Sequence, residues 1–300
     1  MRISTTVFAL LICCWTESFA AEPVQDSEPV QDSVALKTNV IYGTVDSIEM
    51  KMDVAFPDLD NTPSRPCVVV IHGGAWRKGD KASHRVEILQ LAKRGYVAAT
   101  LAYRFCPQHR FPAQVHDVKQ AVRFLRSQAE QFGIDPDRFG AVGYSAGAHL
   151  AMMLGVTDSD DGLEGRDIWA ETIDQPSKVQ AVVSYFGPTD LTQNNIPAVS
   201  IPLVADFIGG LKMDLGDVYA KASPITYVDS ADAPMLLFQG TSDPLVPYQQ
   251  GILMSEKLSK AGLDGRMELL FGAGHGWGGD LADETRQEAW QFFDAQLRKN

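Results

Sequence analysis

The sequence has few cysteines, no excess of basic residues and no long apolar run beyond its first segment. Lys and Arg number 26 against 38 Asp and Glu, a formal net charge of −12. This balance argues against nucleic acid as a partner, because phosphate binding needs a basic face, and against attachment to anionic lipid surfaces. Past residue 20, no stretch approaches the roughly 20 apolar residues that span a bilayer, so we expect no membrane anchor.

Residues 1–20 have the pattern of a secretory signal peptide. Arg2 gives a positively charged start, residues 7–15 are apolar, and residues 18–20 place small side chains at the cleavage positions. A buried N-terminal helix is the alternative. We therefore predict an exported protein, secreted or periplasmic, in which residues 21–36 form a polar, flexible leader.

Only two cysteines follow this predicted signal, Cys67 and Cys106. The first begins one predicted strand, and the second lies beyond the end of the neighbouring strand. Parallel neighbours hold those points at opposite edges of a sheet, too far apart for the roughly 4.4–6.8 Å that a disulfide allows between Cα atoms. We predict two free thiols.

Residues 37–300 predict a single domain in which strands and helices alternate. The continuous apolar run at residues 67–71 is typical of a parallel strand buried on both faces, and residues 114–132 form the clearest amphipathic helix. Residues 40–45 and 50–56 are predicted as antiparallel edge strands. The alternation predicts an α/β fold with a mainly parallel central sheet and helices on both of its faces.

Two segments interrupt the alternation. Residues 158–178 are acidic and polar, and we predict a solvated surface loop; a calcium site is the alternative, but its twelfth position holds Trp169 instead of Glu. Residues 188–223 contain an apolar stretch, 201–208, between two predicted core strands. This segment is our candidate for a short cap over the site.

Residues 143–147, Gly-Tyr-Ser-Ala-Gly, form a G-x-S-x-G pentapeptide. An apolar strand pattern leads into it and a helical pattern leads out, which is the context of a nucleophile elbow. A strained strand-to-helix turn exposes the serine hydroxyl, and the flanking glycines let backbone segments cross closely. We predict Ser145 as the nucleophile; a serine that only caps a helix is the alternative.

A second motif, His-Gly-Gly-Ala-Trp at residues 72–76, follows the predicted strand that ends at Ile71. Glycines at this point can turn backbone N–H groups toward a substrate oxyanion. In the α/β-hydrolase fold such a loop acts with the N–H of the residue after the nucleophile. We predict Gly73, Gly74 and Ala146 as the oxyanion hole; an ordinary turn is the alternative.

The predicted acid and base come later in the chain. Asp243 follows the strand that ends at Gln239, and His275 follows the last predicted strand. The order Ser145, Asp243, His275 is the one that α/β-hydrolases use. His275 is predicted to take the serine proton, and Asp243 to hold the imidazole and stabilise its charged form. This chemistry needs no metal or cofactor, and we predict none.

The other histidines fit this order less well. Four of them precede the elbow: His72, His84, His109 and His116. His149 lies one helical turn after Ser145, and we predict that it packs beneath the nucleophile.

Several ordered motifs together resemble a known group of enzymes. They lie at residues 72–76, 143–150, 186–190, 223–227, 243–247 and 272–277. They are similar to esterases related to hormone-sensitive lipase, and closest to the branch with bifunctional feruloyl and acetyl xylan esterases. The resemblance spans residues 42–293 and implies an α/β-hydrolase fold. Ala75 and Ala148 depart from it, since such enzymes commonly carry glycine there; a positive φ would strain Ala75.

The motifs favour a carboxylesterase that acts on short acyl groups of small-molecule or polysaccharide esters, and the resemblance implies acetyl or feruloyl groups on carbohydrate. An amidase or peptidase of the same fold would share the triad chemistry, and a non-catalytic binding protein is a third interpretation. Trp76 and Trp277 follow the oxyanion loop and the base, so we predict that both border the pocket and bind a sugar ring or a feruloyl group. Packing in the core is the alternative for both. The apolar stretch at residues 201–208 is also compatible with a lipid-facing lid. The sequence does not decide the oligomeric state.

Overall fold

An eight-stranded sheet forms the centre of the protein. The computed structural model describes residues 33–57, 64–165, 172 and 174–298. The strands are β1 (Val34–Val45), β2 (Ile48–Pro57), β3 (Arg65–Ile71), β4 (Val97–Leu101), β5 (Ile134–Tyr144), β6 (Ala181–Tyr185), β7 (Met235–Gly240) and β8 (Gly265–Leu270). Their spatial order is β1-β2-β4-β3-β5-β6-β7-β8. The β1–β2 and β2–β4 pairs are antiparallel, and the remaining pairs are parallel.

Helices cover both faces of this sheet. They are α1 (Arg85–Lys93), α2 (Ala113–Ser127), α3 (Ala129–Phe132), α4 (Ala146–Val156), α5 (Ile201–Ile208), α6 (Lys212–Lys221), α7 (Gln249–Lys260) and α8 (Gly279–Leu297). Within the described ranges, no helix combines the length and apolar character needed to cross a bilayer. The mainly parallel sheet with helices on both faces is confirmed.

Two hydrophobic cores lie on opposite sides of the sheet, and β3 contributes to both. Val69 packs into the core beneath α2, α4 and α7, whereas Val68 and Val70 pack into the core beneath α1 and α8. Successive side chains of a strand point to opposite faces, so a strand covered on both sides must be apolar throughout. Residues 67–71 are all fully buried for this reason, and Cys67 and Cys106 are free and buried, as predicted.

The first strand begins earlier than the sequence predicts. Residues 34–36, assigned above to the flexible leader, belong to β1 and pair with residues 55–57 of β2. Val34 also packs against the core beneath α1 and α8, so apolar contact and backbone pairing extend the strand. The predicted signal peptide and the leader up to residue 32 lie outside the described residues.

The segment predicted as a solvated loop, residues 158–178, is partly anchored in the interior. Glu164 is buried, and its carboxylate accepts hydrogen bonds from Lys119 at 2.6 Å and from Arg123. Both cations lie on α2 and are fully buried. Lys119 also donates to the Ser177 hydroxyl at 3.1 Å. The prediction of a solvated loop is therefore wrong for the described parts around Glu164 and Ser177. Glu164 neutralises charges that α2 carries into the core, and Ser177 accepts a hydrogen bond from one of them.

Removing this buried negative charge should destabilise the fold. In Glu164→Gln, two buried cations lose their counter-ion, and breaking a buried ion pair by removing one partner costs about 3–5 kcal/mol in the free energy of unfolding. Glu256→Gln is the matched control, since its pair with Lys260 is exposed and spans 3.9 Å; exposed pairs of this kind contribute about 0.3–0.5 kcal/mol. Urea unfolding measures both variants. Equal, small changes would contradict this account.

Candidate active site

The turn between β5 and α4 presents Ser145 in a strained backbone conformation. Its φ and ψ are +54° and −116°, a region that non-glycine residues rarely occupy. The turn is also crowded: a Cβ added to Gly143 would lie 2.1 Å from the Gly147 carbonyl oxygen, and one on Gly147 would lie 2.1 Å from that of Ile71. The strained strand-to-helix turn that the pentapeptide predicts is therefore present.

A continuous chain of hydrogen bonds joins Ser145, His275 and Asp243. The imidazole Nε2 lies 2.9 Å from the serine Oγ, and Nδ1 lies 2.7 Å from a carboxylate oxygen of Asp243. The Asp243 side chain is fully buried, and its other oxygen accepts the backbone N–H groups of Leu245 and Val246 at 2.8 and 3.0 Å. With the imidazole proton on Nδ1, Nε2 is free to accept the serine proton.

The predicted oxyanion donors lie around the same cavity as Ser145. Gly73, Gly74 and Ala146 all line it. A Cβ on Gly73 would lie 2.7 Å from the Tyr144 carbonyl oxygen and 3.4 Å from the Ser145 Cβ, so this glycine runs directly against the elbow. Gly74 has a φ of +116°, which glycine alone adopts easily. The structure thus brings the three predicted donors to the nucleophile.

The loop that carries Gly73 and Gly74 continues in strained conformations. Ala75 and Trp76 have φ values of +53° and +56°, so the alanine that departs from the resemblance is in the strained state. Two hydrogen bonds fix this part of the loop: the Cys106 N–H donates to the Trp76 carbonyl at 2.9 Å, and the Trp76 indole N–H donates to His149 at 3.3 Å. Buried contacts therefore hold a loop conformation that its sequence does not favour.

Two other histidines beside the site, His72 and His149, are buried and pack within the fold, as predicted for His149. His149 is fully buried beneath the elbow. Its Nδ1 accepts a hydrogen bond from the Trp76 indole N–H, and its Nε2 donates one to the Ala222 carbonyl at 2.7 Å. Burial lowers the pKa of His149 to about 4. His72 is buried too, stacks on Tyr103 at 4.5 Å between ring centroids, and has a lowered pKa for the same reason. Both rings therefore stay neutral near pH 7.

The candidate cap, residues 188–223, contains α5 and α6 and is attached to both functional loops. The Ser200 hydroxyl donates to the carbonyl of Leu245, which lies on the Asp243 loop, at 2.8 Å. Phe207 of α5 stacks on Trp76 of the oxyanion loop, with ring centroids 4.2 Å apart. The segment therefore forms one wall of the cavity that opens at Ser145.

This cavity has a volume of about 500 Å³. Away from Ser145 and His275, its walls are mostly aliphatic and come from the cap, the Asp243 loop and the oxyanion loop. These residues are Trp76, Leu191, Ile196, Pro197, Leu203, Val204, Leu245, Val246 and Pro247. Among the residues that the structure describes, no cluster of three His, Cys, Asp or Glu side chains is arranged to hold a metal ion.

The two predicted substrate-binding tryptophans have different surroundings. Trp76 lines the cavity, but only 3% of its surface is exposed, because its ring packs against Phe207. Trp277 is not among the described residues that line the cavity. Its indole N–H donates to the Thr285 hydroxyl at 3.0 Å, and its ring packs against Phe186 at 5.3 Å. The prediction that Trp277 borders the pocket is therefore corrected.

The sequence analysis includes Phe186 in the motif at residues 186–190 but assigns it no role, whereas the structure places it at the site. This residue directly follows β6, lines the cavity, and packs against the His275 imidazole at 4.7 Å between ring centroids. Its position after a parallel strand was an available signal, because the carboxyl ends of such strands face the binding crevice.

The chain is similar in sequence to known esterases. The chain is 31% identical over 209 residues to Esterase LipQ of Mycobacterium tuberculosis. These residues are 69% of this chain and 48% of the relative. It is 28% identical over 277 residues to the isoprenylcysteine alpha-carbonyl methylesterase ICME of Arabidopsis thaliana. This match covers 89% of this chain and 62% of the relative. The chain thus spans about half to three fifths of the length of these curated relatives.

Solved structures extend the similarity to the fold. A truncated carbohydrate esterase from gut microbiota superposes with a TM-score of 0.79 at 29% identity, covering 91% of this chain and 99% of the other. Butyrate-bound esterase 2 of Thermogutta terrifontis superposes with a TM-score of 0.73 at 27% identity. This match covers 87% of this chain and 94% of the esterase. The BD-FAE family model matches residues 52–258, more than half of the chain. The protein therefore belongs to the BD-FAE family and has the α/β-hydrolase fold of these esterases.

Proposed function

We propose that this protein hydrolyses carboxylic esters through an acyl-enzyme formed on Ser145. The observation that carries the proposal is the hydrogen-bonded chain from Ser145 through His275 to buried Asp243. An aligned nucleophile, base and carboxylate is the arrangement that activates a serine hydroxyl at neutral pH. The esterase relatives support the same reaction.

In the first half-reaction, His275 Nε2 takes the proton from Ser145 Oγ as the oxygen attacks the ester carbonyl carbon. Negative charge then develops on the carbonyl oxygen, toward which the N–H groups of Gly73, Gly74 and Ala146 donate. The N-terminus of α4, which begins at Ala146, adds the positive end of a helix dipole. Collapse of the tetrahedral intermediate breaks the ester bond, and the imidazolium gives its proton to the departing alcohol.

The second half-reaction repeats these steps with water. His275 takes a proton from the water that attacks the acyl-enzyme, and returns it to Ser145 Oγ as the carboxylic acid leaves. Asp243 holds the imidazole through Nδ1 in both halves and stabilises its charged form. Because the carboxylate is buried and fixed by two backbone N–H groups, little reorganisation is needed when the charge appears.

We further propose that the substrate is an acyl ester of carbohydrate, with a feruloyl group favoured over acetyl. The family match and the carbohydrate esterase from gut microbiota support the carbohydrate part. The cavity supports the bulky acyl group: its 500 Å³ falls in the roughly 300–1,000 Å³ range that encloses drug-sized ligands. An acetyl group would leave most of the aliphatic wall without contact. Export through residues 1–20, which would bring the enzyme to polymers outside the cytoplasm, stays a prediction.

The nucleophile assignment predicts a selective loss of activity in Ser145→Ala. The value of kcat should fall by about five to six orders of magnitude, since the three residues act as a unit. A fluorophosphonate reagent should label the wild-type protein at Ser145. Ser127→Ala, which removes an exposed hydroxyl at the end of α2, should keep wild-type activity and labelling. Labelling at another residue, or substantial activity in Ser145→Ala, would overturn the assignment.

The acyl-pocket assignment predicts a size-dependent effect of Val204→Phe. Val204 lies on α5 and lines the cavity, so a phenyl ring there should occupy space that the acyl group needs. We expect kcat/KM for methyl ferulate and p-nitrophenyl hexanoate to fall at least roughly ten-fold, and that for p-nitrophenyl acetate to change little.

Val199→Phe is the matched control for this substitution. Val199 belongs to the same cap segment but is exposed and does not line the cavity, so all three substrates should react as with wild type. Equal losses for acetate and ferulate in Val204→Phe would contradict the acyl pocket. A steady rise of wild-type kcat/KM toward long chains, increased at an oil–water interface, would instead identify a lipase.

A further inference from the structure

The proposed base lies on a glycine-rich loop whose backbone is tied to the Asp243 loop. The Ser242 N–H donates to the Ala273 carbonyl at 2.9 Å, and the Gly272 N–H donates to the Thr241 hydroxyl at 2.8 Å. From the end of β8 to the first residue of α8 the chain contains five glycines: Gly272, Gly274, Gly276, Gly278 and Gly279. A Cβ added at four of these positions, all but Gly276, would meet no described atom within 4 Å beyond its chain neighbours. Glycine loses more conformational freedom on folding than any other residue. The backbone contacts hold the main chain of His275, but they do not by themselves set the orientation of its side chain, which is partly exposed.

One aromatic ring fills the space beside this loop. The Phe186 ring lies 4.7 Å from the His275 imidazole, centroid to centroid, with an interplanar angle of 60°. The same ring is the nearest neighbour of Gly276, where a Cβ would lie 3.9 Å from the Phe186 Cζ. Phe186 therefore covers the imidazole and the residue that follows it.

The backbone of Phe186 is strained and held by several contacts. Its φ is +46°, a conformation in which a bulky side chain is a clear outlier. The Phe186 N–H donates to the Phe238 carbonyl at 2.8 Å. The next residue, Gly187, lies so close to α4 that a Cβ there would be 2.7 Å from the Ala148 Cβ. Strain of this kind persists only where the surrounding structure over-determines it.

Trp277 also packs against the Phe186 ring. The two rings are perpendicular, with centroids 5.3 Å apart, an arrangement that aromatic pairs favour. The hydrogen bond from the Trp277 indole to Thr285 ties this support to α8. Phe186 thus contacts the imidazole and a tryptophan that a helix holds in place.

We propose that Phe186, backed by Trp277, is a positioning residue that keeps the His275 imidazole aligned with Ser145 and Asp243. The inference rests on the proposed function, because it assigns His275 as the base. Two hydrogen bonds fix two points of the imidazole, and the Phe186 ring restricts its rotation about the line through them. The ring also keeps water from that part of the imidazole. The strained φ is what brings the side chain to this position at the end of β6.

The test is a side-chain series at Phe186 with two phenylalanine controls. In Phe186→Ala, kcat on p-nitrophenyl butyrate should fall roughly 10- to 100-fold, the loss typical of misplacing a catalytic group by about 1 Å. KM should change by no more than about two-fold, since the ring acts through the base. Phe186→Leu, which restores apolar bulk, should recover part of kcat. Phe271→Ala removes a ring that is 97% exposed, and Phe292→Ala removes a buried ring on α8; both should keep wild-type kcat while folded.

A second readout separates this inference from the proposed function. The fluorophosphonate labelling rate depends on the serine and its base, so Phe186→Ala should label more slowly by a factor similar to its loss in kcat. Failure of wild type to be labelled at Ser145 would overturn the proposed function. Normal wild-type labelling with unchanged kcat and labelling rate in Phe186→Ala would overturn the positioning role alone.

Three other outcomes also overturn the positioning role. They are a kcat loss of equal size in Phe292→Ala, an effect confined to KM, and a Phe186→Leu variant no better than a folded Phe186→Ala. If the absence of cooperative unfolding shows that Phe186→Ala is not folded, the Phe186→Leu variant decides. A reduced kcat and labelling rate at unchanged KM support the positioning role, and wild-type values of kcat and labelling rate overturn it.

Discussion

The backbone conformation of Ser145 is the constraint on which the site depends. It turns the chain out of β5 and into α4 within one residue, and it leaves the hydroxyl at the surface of the cavity. A non-glycine residue in such a region costs on the order of 1–3 kcal/mol. The burial of every residue of α4 and the hydrogen bond from the Ser145 N–H to the Tyr185 carbonyl offset this strain. Close packing around the turn, possible only with glycine at 143 and 147, keeps it in place.

The parallel sheet then brings the other groups to the same edge. Across the neighbouring strands β3, β5, β6, β7 and β8, the residues at the carboxyl ends are the oxyanion loop, Ser145, Phe186, the Asp243 loop and the His275 loop. Neighbouring strands lie roughly 4.8 Å apart, so groups distant in sequence meet within side-chain reach. Each strand contributes one functional segment, and the strain at Ser145 and Phe186 directs two of those side chains into the cavity.

The sequence predicts this arrangement well where a motif has a fixed local geometry or a fixed order. Ser145, Asp243 and His275 were identifiable because the elbow is local and each partner follows a buried strand. Periodicity indicates which face of an element is apolar, but it does not identify what covers that face. For this reason it predicted neither the burial of Glu164 against α2 nor the packing of Trp277 against Phe186. Positive φ at Phe186 has no sequence signature, since phenylalanine disfavours it.

In the proposed reaction the acyl group passes through a covalent bond to Ser145. The most direct measurement is intact-protein and peptide mass spectrometry on wild-type enzyme quenched in acid during turnover of p-nitrophenyl butyrate. We expect an added butyryl mass on the peptide that contains residues 143–147, together with a burst of about one p-nitrophenol per active site. Steady turnover with a burst-free time course and no adduct at any time point, or with the adduct on another residue, would contradict this reaction.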